Sequence, residues 1–105
     1  MTLTMSLIDL RALSEFSSEG RVKKDLIKTK GFNAVLVCLD AGQEIPHHPE
    51  PYEVLFIVIE GEGTITCGDD RYGVMPGSAV YVKSGECRGI KCEKKMAVVG
   101  IQEAH

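Results

Sequence analysis

From residue 21 onward the chain is built of short runs in which apolar and polar positions alternate, and glycines cut the runs at close intervals. Alternation at period two in β-branched and aromatic sequence is the signature of a strand with one buried face. Strands are predicted over residues 21–29, 32–39, 52–60, 64–67, 71–75, 79–83, 86–93 and 96–102. Gly31, Gly42, Gly61, Gly68, Gly77 and Gly85 fall between them, where a positive φ or a close backbone approach is cheap only for glycine. Gly68-Asp69-Asp70 reads as a hairpin turn.

Helical spacing occurs in one place, where Leu7, Leu10 and Leu13 recur every third residue before 14–20 breaks the pattern. The expected organisation is an N-terminal segment over 1–20, holding a short helical turn, followed by one domain over 21–105. Many short strands without alternating helices exclude a parallel α/β sheet and point to an all-β antiparallel sandwich or barrel. The stretch 54–59 is apolar at both parities, so its strand must be covered on both faces. Two covers fit the outer face: a second copy of the chain, giving a homodimer, or the N-terminal segment itself.

Composition narrows the classes. At 105 residues there is room for one domain with a core and no second, and 44% hydrophobic with 26% charged residues is ordinary for a folded chain. A formal charge of -3, with Lys and Arg scattered, offers no basic field for nucleic acid. The longest apolar run is far shorter than the roughly 20 residues of a membrane-crossing helix, and no secretory pattern opens the sequence, so the expected location is the cytoplasm. Cys38, Cys67, Cys87 and Cys92 show no paired metal-knuckle spacing and are expected as free thiols.

Two glycine frames carry the chemistry. Gly42 is followed by five residues to His48, then Glu50, Val54 and, six residues on, Gly61. Gly77 is followed by five residues to Lys83, then Gly85, two residues to Arg88 and three to Cys92. In spacing these frames, with the Glu60-Gly61-Glu62-Gly63 and Met75-Pro76-Gly77 stretches, resemble the two motifs of the cupins over about residues 32–92. The resemblance implies a cupin-type antiparallel double-stranded β-helix, a jelly-roll barrel. In that family two His and a Glu of the first motif and a His of the second bind a divalent metal inside the barrel.

Only one of those four ligands is kept. His48 stands at the first His, but Glu50 replaces the second, Val54 the Glu and Arg88 the last His. Val54 has no donor atom, and Arg88 has only N–H donors and a fixed positive charge. The resemblance therefore implies a barrel without a cofactor, in which His48, Glu50, Arg88 and Cys92 face a shared interior. Strand alternation makes Glu50 and Arg88 candidate ion-pair partners, suited to a small polar or anionic ligand or to an inert internal pair.

The alternative is a metal-dependent oxygenase or isomerase. A bulge at Pro49 or Pro51 would gather His47, His48 and Glu53 around a divalent transition metal, with Cys87 or Cys92 completing the site. A metal-free isomerase would instead need His48 beside Glu50 as its base. Tyr52 and Tyr81 are candidates for the barrel mouth, and His105 is expected to be unordered.

Overall fold

The computed structural model describes residues 6–105, so the first five residues of the segment expected over 1–20 lie outside the described part. A single four-residue helix, α1 (Leu10–Leu13), precedes seven strands: β1 (Val22–Lys28), β2 (Phe32–Leu39), β3 (Glu44–Pro49), β4 (Val54–Cys67), β5 (Asp70–Val74), β6 (Ala79–Val82) and β7 (Cys87–Glu103). Every pairing is antiparallel. Among the described residues, no helix is long and apolar enough to cross a membrane. The all-β antiparallel architecture expected from the alternation is the one that forms.

β4 and β7 organise the rest. They pair with each other along their length and change outer neighbours midway: the 54–57 end of β4 is flanked by β6 and its 63–67 end by β5, while β7 carries β3 along 87–91 and β2 along 96–103. The β4–β7 ladder breaks repeatedly between Val58 and Gly63, and there the two long strands bend. The breaks expected near 61–63 and 94–95 are therefore bends inside continuous strands.

Gly61 explains why the bend falls there. Its φ is +81°, and a Cβ at that position would press into the carbonyl oxygens of Lys94 and Lys95 on β7. Only glycine lets the two backbones approach so closely.

The inward side chains of both halves meet in one apolar core that includes Leu39, Val54, Ile65, Val82, Met96 and Val98. Burial along β4 alternates strictly from Val54 to Val58, as one buried and one outer face require. The outward side of β2 and the far half of β7 forms a second cluster around Leu36, Cys38 and Ala97. Ile8, Leu10 and Phe16 of the N-terminal segment pack on it together with Ile57 and Ile59 of β4.

A four-residue helix is too short to be stable alone. It is held by this packing and by the Asp9 carboxylate, which accepts from the Ala12 N–H at 3.2 Å. Ile57 and Ile59 thus pack on the same cluster as the N-terminal segment and stay half-buried, while Leu55 lies in an exposed trough with Phe32, Tyr81 and Ile101.

All four cysteines are free; Cys38 and Cys92 are buried, and Cys67 and Cys87 are half-buried. Burial, and then the Glu86 carboxylate, push the Cys67 thiol above its ordinary pKa, which lowers its reactive thiolate fraction. A thiol reagent should therefore label Cys87 first and Cys67 slowly in the native protein, and all four only in denaturant. Rapid native labelling of Cys38 or Cys92, read by peptide mass spectrometry, would contradict this packing.

Candidate functional site

The fold brings the two motif regions to one end of the barrel, where β3 runs beside the start of β7 and His48 pairs in register with Arg88. Arg88 belongs to the inward-facing set of β7 and is 4% exposed. Its guanidinium donates to backbone carbonyls: Nη2 to Lys83 at 3.0 Å and Glu86 at 3.2 Å, Nε to Glu86 at 3.3 Å, and Nη2 to Glu50 at the limit of 3.5 Å. Nη1 is buried and has no hydrogen-bond partner among the described residues.

No salt bridge to Arg88 forms among the described residues. The expected Glu50–Arg88 ion pair is therefore absent. The Glu50 carboxylate turns instead to His48, with Oε1 at 3.1 Å from Nε2. The physical reason is that β3 ends at Pro49, so strand alternation no longer directs Glu50, and its chain offers Arg88 a carbonyl in place of a carboxylate.

His48 is held from both sides. Its Nδ1 lies 2.8 Å from the Pro46 carbonyl, which can only accept, so Nδ1 carries a proton. Nε2 faces a carboxylate oxygen, so that contact is a hydrogen bond when Nε2 is protonated as well. Tyr52 completes this end: the Arg88 guanidinium carbon lies 5.1 Å from its ring centroid, within cation–π range. Burial, and then the negative charge of Glu50, raise the Tyr52 phenol above its ordinary pKa, while Arg88 acts in the opposite direction. His105, expected to be unordered, lies flat on the Tyr52 ring, with centroids 3.9 Å apart and planes 8° from parallel.

Cys92 does not join this group. It follows Arg88 by four residues on β7, about 13 Å along an extended strand, and its Sγ donates to the Leu39 carbonyl at 3.3 Å. Burial first of all raises its pKa, so it behaves as a core thiol.

The alternative trio is dispersed. The irregularity in β3 falls between Ile45 and His48, upstream of the prolines at 49 and 51. The backbone of His47 crosses Gly89 so closely that a Cβ there would lie 2.9 Å from His47 N and Cα. His47 lines an outer groove with Thr64, Arg71 and Lys91. Glu53 accepts from the Tyr81 hydroxyl at 3.4 Å beside a different trough. Among the described residues, no three His, Cys, Asp or Glu side chains are grouped to hold a metal ion.

The motif positions do not fit a divalent cation either. Val54 is 1% exposed within the apolar core, and Arg88 brings its own positive charge to the last ligand position. Asn33, 7% exposed with an unpartnered Oδ1, is a polar group that the motif reading does not single out. Its signal is nonetheless present, since it is the polar residue at the inward parity of an otherwise apolar strand.

Comparison with known proteins bears on the frame that positions this site. The chain shares its fold with the TT1209 protein of Thermus thermophilus, at TM-score 0.89 and 20% identity over 95% of this chain and 98% of that one. An RmlC-like cupin protein from Desulfovibrio desulfuricans aligns over 98% of this chain and 97% of its own, at TM-score 0.81 and 21% identity. KdgF from Halomonas sp. aligns over 84% and 82%, at TM-score 0.77 and 19% identity. At these identities the likeness is one of fold alone. No curated protein matches the chain. The cupin-domain family profile matches residues 35–101, spanning both glycine frames and the strands between them. The bent antiparallel barrel with its motif residues gathered at one end, and a profile match over most of the sequence, make this chain a member of the cupin family.

Proposed function

We propose that this barrel binds a small anion, of the carboxylate or phosphate class, at the end where Arg88 lies, and that it does so as a binding module without a metal. One observation carries the reading: a guanidinium that is 4% exposed has no carboxylate partner among the described residues and retains a buried, unpartnered Nη1. A buried charge without a counter-charge is costly, and an anion at Nη1 offsets the cost through a charge-assisted hydrogen bond. Tyr52 and the turn between β3 and β4 cover the guanidinium, so binding requires that turn to move.

Titration with acetate, oxalate and inorganic phosphate, followed by amide NMR shifts, tests the proposal. Saturable shifts should centre on 50–52 and 83–88 and weaken with added salt. Arg88→Met should reduce affinity about tenfold to a hundredfold, the worth of one hydrogen bond to a charged group. Equal affinity in Arg88→Met, or no saturable shift for any of the three anions, would reject it.

The His48–Glu50 contact supports a second reading, a metal-free acid–base enzyme. With Nδ1 tied to the Pro46 carbonyl and Nε2 to Glu50 Oε1, neither ring nitrogen is open to a substrate, and the imidazole instead holds the Glu50 carboxylate, whose other oxygen is the candidate base. In that case Glu50→Gln would abolish turnover while leaving anion affinity nearly unchanged, whereas a pure binding module has no turnover to lose.

A further inference from the structure

Beyond the groups that surround Arg88, the Tyr52 ring takes part in a second arrangement. With His105 stacked at 3.9 Å on one face, the guanidinium is left the other, so Tyr52 separates the two. His105 is also a wall of a cavity of about 200 Å³, bounded further by Lys23, Lys28, Asn33 and Gln102. Asn33 and Gln102 are register partners on β2 and β7. Asn33 is more than nine-tenths buried, and its Oδ1 has no donor among the described residues.

His105 stands beside that cavity without meeting that need. Its Nδ1 lies 2.9 Å from the Glu103 carbonyl and must donate to it. The remaining nitrogen of the neutral ring is then an acceptor, and two acceptors cannot bond. In that neutral form the imidazole has no further N–H to offer Asn33 Oδ1.

We infer that the face of Tyr52 that His105 covers and the cavity beside His105 form a subsite for a planar heteroaromatic ring bearing an N–H donor. Such a ring takes the place of the His105 imidazole, stacks on Tyr52 and donates to Asn33 Oδ1. Drug-sized ligands occupy pockets of about 300–1,000 Å³, so this smaller space admits a ring of one or two cycles and excludes a nucleotide or a disaccharide. The subsite lies across Tyr52 from Arg88 and does not depend on anion binding.

Three probes decide the matter: pyrazole, its C-methyl derivative and its N-methyl derivative, titrated into the full chain and into His105→Ala. In His105→Ala, pyrazole and the C-methyl compound should bind with upfield-shifted ring protons and a moved Asn33 side-chain amide signal. The N-methyl compound, equal in bulk but without the N–H, should bind about tenfold more weakly, as expected for one buried acceptor left unmet. The unsubstituted chain should bind each ring more weakly than His105→Ala, because the imidazole must first leave. Asn33→Leu should erase the difference between the two methyl isomers while keeping the upfield shifts, and Tyr52→Leu should remove the shifts. Equal binding of the isomers by His105→Ala, or no binding of any ring by it, would overturn the inference without recourse to the Asn33 variant.

Discussion

Gly61→Ala is expected to destabilise the fold by about 4 kcal/mol or more, the range reserved for substitutions that the structure cannot absorb. Two costs combine. The residue sits at φ +81°, which penalises any L side chain, and the added methyl would meet the Lys94 and Lys95 carbonyls, which belong to a paired strand and cannot retreat without breaking the ladder. Gly77→Ala separates these terms. Gly77 has φ +94° with nothing within 4 Å of the added Cβ, so only the backbone cost remains, about 1–2 kcal/mol. Urea unfolding of both variants should show the Gly61 midpoint falling much further than the Gly77 midpoint. Variants within about 1 kcal/mol of each other would mean that the β4–β7 crossing is looser than the structure shows.

The same glycine shows how a sequence can be read correctly for composition and incorrectly for connectivity. Glycine between two apolar runs reads as a turn, because most glycines with positive φ are in turns. At 61–63 it serves a bend within one strand, and the discriminating fact, a backbone passing within van der Waals range, belongs to residues some thirty positions away. β3 escapes prediction for a related reason. Its sequence, with prolines at 46 and 49 and adjacent histidines, lacks a local strand signal, yet among the described residues it pairs with β7 alone, and an edge strand tolerates proline. The core strands, by contrast, are plain in the sequence, because a strand buried on both faces must be apolar at both parities.

The site is legible as a set of positions and illegible as a set of contacts. Spacing places Arg88 inward on its strand, and the structure agrees. Alternation then pairs it with Glu50, and there the reasoning outruns its range, because alternation holds only while the residue remains in the strand. Side-chain partners in the turn between β3 and β4 are decided by loop geometry, which period-two patterning does not encode. The Tyr52–His105 stack joins residues more than fifty positions apart and leaves no trace in either motif.

Arg88→Ala is expected to cost about 2–4 kcal/mol, and Arg88→Met about 1 kcal/mol, because the guanidinium contributes through packing and carbonyl capping and has no ion-pair partner. Loss of the head group leaves the Glu86 carbonyl without Nε and Nη2. The Lys83 carbonyl keeps the Glu86 N–H at 3.2 Å and the Glu50 carbonyl keeps the Gly85 N–H at 2.8 Å, so two of the three acceptors remain partnered. Methionine restores the apolar stem and removes a buried charge that nothing in the described protein balances, which offsets much of the lost hydrogen bonding. A double-mutant cycle with Glu50→Gln distinguishes this account from a Glu50–Arg88 ion pair. Here the two changes should be additive within about 0.5 kcal/mol, whereas a buried pair would couple them by about 1–3 kcal/mol. The same cycle run with saturating phosphate should raise the wild-type midpoint by ligand linkage and leave the Arg88→Met midpoint unmoved. A coupling above about 1 kcal/mol without ligand would return the carboxylate to Arg88 and remove the ground for an external anion.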